Sequence, residues 1–154
     1  KSIKKHNMRS IYFKIISFFL SLYLILCLIM YFNQESFIFY PLKINKETKF
    51  TYTEKFKEIN LETNDGITIN NLYFETEKPK GVVYFLHGNA GNLSTWGNVA
   101  SVYLELGYNV FITDYRGFGK SEGNISNEKQ LFEDAQLGYD FLKKEFKFKI
   151  ERDK

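Results

Sequence analysis

The 154-residue chain predicts an α/β fold: one transmembrane helix, then about four strands, the first two an antiparallel hairpin and the next two part of a parallel β-α-β unit. Three observations point there. Residues 15–32 hold no charge and are rich in Leu, Ile and Phe. Two strand-like runs meet at Asn64-Asp65-Gly66. Two apolar runs, residues 82–86 and 109–115, bracket a helical stretch that stops at Gly107.

The uncharged run comes first. Eighteen helical residues rise about 27 Å, close to the roughly 30 Å of a bilayer's hydrocarbon core, and the span reaches Ile11 if Lys14 snorkels toward the headgroups. A soluble helix that is apolar all round needs a large protein to cover it. A cleaved signal peptide fits the basic start but not the length, and residues 31–35 offer no small-x-small cleavage site. Cys27, in mid-span behind bulky Leu26, makes a poor lipid attachment point. The run is therefore read as an uncleaved signal anchor over residues 11–32, behind a basic tail of residues 1–10. Lys and Arg before the span and Glu35 after it place the N-terminus in the cytoplasm and the rest outside.

Residues 33–53 are irregular, with Phe37, Phe39 and Tyr40 ahead of Pro41, and read as a linker lying on the domain or on the membrane surface. The domain is expected over residues 54–154. Residues 56–63 alternate, with Ile59 and Leu61 marking the buried face, and Asp65-Gly66 supplies the positive φ angles of a tight turn. Residues 67–74 return, with Ile67, Ile69 and Tyr73 inward. After Lys78-Pro79-Lys80-Gly81, the apolar residues 82–86 suit a strand buried on both faces of a parallel sheet. A helix over residues 93–106 ends at Gly107, a residue type that closes helices well, and the strand 109–115 follows through a right-handed crossover. A last helix over residues 127–146 carries Leu131, Ala135, Gly138, Leu142 and Phe146 at spacings of three and four, one apolar stripe.

Charge and cysteine content narrow the function. The net charge is +3, yet Lys1, Lys4, Lys5, Arg9 and Lys14 all precede the apolar run; removing those five leaves sixteen basic against eighteen acidic residues. Basic character belongs to the tail, so a nucleic-acid partner, which needs a basic face on the folded part, is not expected. The single Cys27 allows neither an intrachain disulfide nor a cysteine metal cluster, and no cofactor or metal is expected.

Residues 81–92, GVVYFLHGNAGN, read as a buried strand breaking into a Gly-rich turn ahead of a helix. Such a turn offers backbone N–H groups as fixed donors for the oxyanion of an acyl transfer, and Gly88 would let the backbone come close to a substrate. FLHGNAGN at 85–92, DYRGFGKS at 114–121, and Asp134-Ala135 with Gly138 and Phe141-Leu142 resemble the α/β-hydrolase superfamily, in particular its membrane-anchored lysophospholipase-like and serine-aminopeptidase-like members. The resemblance covers residues 56–146 in order. It implies that the backbone N–H of Asn89 is one oxyanion donor, with His87, Gly88 and Ala90 supporting the loop, and that a second donor follows a nucleophilic serine. It also implies that nucleophile, acid and histidine base all come later than residue 154, so His87 is expected to hold the loop rather than act as a base. By the same resemblance, strand 82–86 lies between the fourth strand and a fifth that the chain stops short of, which leaves its apolar edge exposed.

Two further motifs are set aside. Gly119-Lys120-Ser121-Glu122-Gly123 matches GxSxG, but an elbow serine sits within two or three residues of its strand, whereas Ser121 comes six residues after Tyr115. Its expected role, with the Arg116 guanidinium, is to pin the loop. Gly119-Lys120-Ser121 would end a phosphate-binding loop only with glycine at position 114, where Asp114 would repel the ligand. Asp114 is expected to pair with a nearby Arg or a backbone N–H, and Trp96, Tyr115 and Phe118 to pack in the core or wall a pocket. The expected function is the N-terminal part of a membrane-anchored serine hydrolase that cleaves an ester, thioester or amide through an acyl-enzyme. Its partners would be the bilayer and a small acyl or peptide substrate, and the chain by itself would be inactive. The alternative is a non-catalytic membrane-anchored interaction module that keeps half the fold.

Overall fold

A computed structural model describes residues 2–145 and divides into two units, Lys1–Ile38 and Phe39–Lys154. The first is one helix, α1 (Ser2–Ile38). It runs past both ends of the expected span because no glycine precedes Gly66 and the first proline is Pro41, so nothing breaks the helical ladder until the chain nears that ring. Within α1, Met8–Ile38 is long and apolar enough to cross a membrane, by length and composition.

The second unit begins with β1 (Tyr40–Pro41), then β2 (Phe56–Glu62), β3 (Thr68–Phe74), β4 (Val82–Leu86) and β5 (Ala90–Gly91). Helix α2 (Leu93–Trp96), a 3-10 turn (Gly97–Val99), α3 (Ala100–Glu105), β6 (Asn109–Thr113) and α4 (Glu128–Glu145) follow. Four strands form a sheet in the order β2-β3-β6-β4, with β4 and β6 parallel and the other pairs antiparallel. The hairpin turns at Gly66, whose φ is 76°, and α3 closes at Gly107, whose φ is 84°; both positions favour a residue without a Cβ.

Side chains alternate across the pleat, so the two central strands build two cores. Leu72, Phe74, Val110 and Ile112 pack with Phe50, Leu93 and Ala100 on one face. Tyr73 and Phe111 pack with Leu142 of α4 on the other. The expected stripe on the last helix is therefore the buried one, with Gly138 and Leu142 fully covered; Phe146 lies outside the described residues. Ile59 and Leu61 are half-buried against the Tyr73–Phe111 core, as their alternation requires, while Phe56 at the start of β2 packs on the other core.

Four expectations change. The helix expected over 93–106 is split by the 3-10 turn at Gly97–Val99, where Gly97 tucks under the Tyr52 ring so closely that a Cβ would overlap it. The strand expected to reach residue 115 stops at Thr113, because Asp114 turns inward to a histidine. Strand 82–86, read from its composition as buried on both faces, is the sheet edge among the described residues: it is half-buried, and Leu86 is 44% exposed. Edge placement agrees with the order that the resemblance implies. The stretch expected as a linker is part of the domain from residue 39 onward, with β1 paired to β5, Lys43 bridged to Gly119 and Phe50 in the core.

Gly138 lets α4 approach the sheet. A Cβ there would strike the Tyr84 ring, with its Cζ at 2.7 Å, and crowd Phe111 at 3.4 Å. Overpacking of that kind costs about 1–3 kcal/mol. Gly138→Ala is expected to lower unfolding stability by that amount in urea titrations, even though alanine is the better helix former.

Candidate functional site

The site is built at the carboxyl ends of β4 and β6, where residues 87–92 and 114–121 meet. Each carbonyl from His87 to Asn92 accepts a hydrogen bond. The Tyr115 hydroxyl donates to His87 C=O at 2.8 Å, and His87 Nδ1 donates to Gly88 C=O at 2.7 Å. Tyr40 N–H donates to Asn89 C=O at 2.8 Å, and the Trp96 indole N–H to Ala90 C=O at 2.8 Å. Leu42 N–H reaches Gly91 C=O at 3.4 Å, while Thr95 and Trp96 N–H both reach Asn92 C=O at 3.0 Å. Asn92 also caps α2, its side-chain oxygen accepting from Ser94 N–H at 2.9 Å.

This pinning has a geometric consequence. The described peptides are trans, so C=O and N–H of one peptide point in opposite directions. Gly88 C=O is drawn inward to the buried imidazole, and the N–H of Asn89 is aimed the other way. Gly88 and Asn89 line a cavity of about 370 Å³ whose other walls include Leu86, Tyr115, Leu131 and Phe132. Apolar side chains make up most of those walls, a surrounding in which hydrogen bonds to a charged oxygen gain strength.

His87 itself is buried, with Trp96 stacked on it at 5.9 Å and Tyr115 and Phe118 against its ring at 4.6 and 5.3 Å. Its Nε2 lies 3.1 Å from Asp114 Oδ1. A carbonyl can only accept, so Nδ1 carries its proton, and Nε2 and the Asp114 carboxyl must share one more between them. Burial pushes the Asp114 carboxyl up from its ordinary range, opposed by the His87 hydrogen bond and the nearby Leu93 N–H. Its Oδ2 has no hydrogen-bond partner of ordinary geometry among the described residues. That oxygen rests against Gly119, where a Cβ would overlap it. Tyr52 is pushed up to about 12, by burial first and by the charge of Asp114 second.

The loop after β6 is held as expected, with one correction. Ser121 is buried; its hydroxyl donates to Asp114 C=O and accepts from Asn70 N–H, both at 2.8 Å. Arg116 does not pair with Asp114. Its guanidinium forks instead onto Asp134 of α4, at 2.6 and 2.8 Å, and onto Asp65 of the hairpin turn, at 2.6 and 2.9 Å. Asp114 meets His87 instead and keeps the backbone partner that was the other expectation, Leu93 N–H; the loop turns tightly at Gly117, whose φ is 80°. Phe118 is core, Trp96 covers His87, and Tyr115 both holds the loop and walls the cavity. Sequence reasoning missed Asp65, Asp134 and Tyr40 as partners: Asp65 had stood out as a turn residue, Asp134 as part of a motif and Tyr40 as an aromatic of the expected linker, none of them for these contacts.

The geometry can be compared with known proteins. Residues 77–150 match a family model described as serine aminopeptidase, S33. Protein bem46 of Schizosaccharomyces pombe is 35% identical over 64% of this chain and 34% of its own length, and the uncharacterised protein YfhR of Salmonella typhimurium is 34% identical over 56% and 31%. An esterase of Pyrococcus furiosus superposes with a TM-score of 0.57 over 71% of this chain and 42% of that one, at 21% identity. An alpha-beta hydrolase from Vibrio vulnificus gives 0.51 over 60% and 31%, at 18% identity. The chain has the α/β-hydrolase fold, and residues 77–150 are similar to the serine-aminopeptidase family. It spans about a third of the length of these curated relatives.

Two outcomes test the Arg116 clamp. Arg116→Gln leaves the Asp134 carboxylate buried and unpaired, and removing one partner of a buried ion pair costs about 3–5 kcal/mol; urea titration is expected to show a loss of that order. The Arg116 and Thr63 hydrogen bonds hold the Asp65 carboxyl well below its usual range. A carboxyl lowered on folding stabilises above its unfolded pKa of about 4 and loses that contribution as pH falls through the folded value. Asp65→Asn is therefore expected to flatten the stability decline below about pH 4, and an unchanged acid limb would count against the pairing.

Proposed function

We propose that this chain supplies the oxyanion-binding part of a membrane-anchored serine hydrolase. The reading is carried by the Gly88–Asn89 peptide, whose carbonyl is tied to the buried His87 and whose two residues line the apolar cavity that its N–H would serve. In the whole protein a serine hydroxyl would add to the carbonyl of an ester, thioester or amide, the carbonyl oxygen would become an oxyanion, and Asn89 N–H would donate to it. Fixed donors of this kind lower the barrier because they need no reorganisation as charge develops. Nucleophile, acid and base would come from the part of the protein that follows residue 154. Ser121 is not the nucleophile in this reading, since its hydroxyl is buried and its proton is committed to a backbone carbonyl.

Similarity of residues 77–150 to the serine-aminopeptidase model supports acyl transfer as the chemistry. The apolar helix supports the anchor, read as an uncleaved single-pass span with the N-terminus in the cytoplasm and the domain outside. The substrate is a small acyl or peptide compound.

A fluorophosphonate probe tests the assignment. The longer protein is expected to label at a serine that directly follows an apolar strand, while the 154-residue chain stays unlabelled at Ser121. Labelling at Ser121 that is lost in Ser121→Ala would overturn it, and an in-frame stop directly after residue 154 would favour the interaction module.

A further inference from the structure

The segment next to the candidate membrane helix forms the outer strand of the oxyanion loop. Ile38 ends α1, and Phe39 begins the second unit. From there residues 39–44 run along the loop as a parallel partner, with Tyr40 opposite Ala90 and Pro41 opposite Gly91. The strap is held on both sides. Tyr40 N–H donates to Asn89 C=O at 2.8 Å, and Leu42 C=O accepts from Gly119 N–H at 3.0 Å and from the Asn92 side-chain amide at 2.8 Å. Ile44 N–H returns to Gly119 C=O at 3.0 Å. The Phe39 ring meets Phe118 edge-on at 6.4 Å and forms part of the cavity wall.

These contacts fall on two loops at once, the one carrying Asn89 and the one carrying Gly119, and the main sheet takes no part in them. The Gly88–Asn89 peptide is fixed at its carbonyl by His87 and at the next carbonyl by Tyr40. A peptide plane held at one end can still swing; held at both neighbouring carbonyls, it has one orientation left. We propose that the juxtamembrane strap, residues 39–44, is a positioning element for the oxyanion loop, with Tyr40 as its key residue, so that the donor geometry at Asn89 depends on how the segment leaving the membrane helix is seated. The proposal deepens the serine-hydrolase reading and rests on it for the word oxyanion; the mechanical claim stands on the hydrogen bonds alone.

The test uses the full chain in detergent micelles, with amide hydrogen exchange read residue by residue. Tyr40→Pro deletes the N–H that donates to Asn89 C=O, while Tyr40→Phe keeps it. Loss of one such bond is expected to speed exchange at residues 88–91 by about fivefold, with Val110 to Thr113 unchanged and Tyr40→Phe at the parent rate. Should Tyr40→Pro unfold, Phe39→Ala, which keeps the strap's backbone hydrogen bonds and removes the ring from Phe118 and the cavity wall, is expected to shift exchange at the same residues in the same direction. Parent-like exchange at 88–91 in a folded Tyr40→Pro, or in Phe39→Ala, would overturn the proposal. The longer protein separates this from the underlying reading: Tyr40→Pro is expected to lower kcat on p-nitrophenyl esters with KM held. A loosened loop with unchanged kcat would sink the oxyanion assignment and leave the strap standing.

Discussion

The candidate site depends on a set of carbonyls being held from behind. Hydrogen bonds to C=O groups are common in any fold, but here six consecutive carbonyls, His87 to Asn92, all accept one: five from donors outside the segment or in α2, and Gly88 C=O from the neighbouring His87 ring. Because a trans peptide sets N–H opposite C=O, tying down the acceptors sets the direction of the donors. Donors fixed in direction are what a site needs if it is to stabilise charge that exists only in a transition state.

Two buried ionic groups keep that arrangement in place, and they do so differently. His87 and Asp114 lie in a dry setting, and the pair is held by its hydrogen bond and by ring packing from Trp96, Tyr115 and Phe118. Arg116 is fully ionic and joins three separate elements: the hairpin turn through Asp65, the loop after β6, and α4 through Asp134. Its planar fork suits two carboxylates at once, which a lysine could not match. The first pair fixes the orientation of one peptide; the second fixes where the loops sit relative to the sheet.

Much of this was legible in the sequence because it is carried by local rules. The positive φ at Gly66 and Gly107, the apolar stripe through Gly138 and Leu142, and the sheet order all follow from turn chemistry, periodicity and the motifs at 85–92 and 114–121. What sequence reasoning missed is non-local. Tyr40 and Leu42 belong to a stretch without alternation, and their pairing with Asn89 and Gly91 is made by backbone atoms across some fifty residues, which leave no side-chain signature. The choice of His87 over Arg116 as the partner of Asp114 was equally hidden, since chain proximity favoured the arginine, whose guanidinium is taken by two distant carboxylates, Asp65 and Asp134. Strand 82–86 misled in the other direction: its composition describes a central strand, while its place among the described residues is an edge.

The claim that Asn89 contributes through its backbone N–H can be isolated by replacing that one amide with an ester in the longer protein, introducing the α-hydroxy analogue of asparagine at position 89 so that every side chain is retained. Loss of a single oxyanion donor costs about 10²–10³ in kcat, so the account expects a fall of that size in ester hydrolysis with KM little changed. A kcat within twofold of the parent enzyme would contradict it.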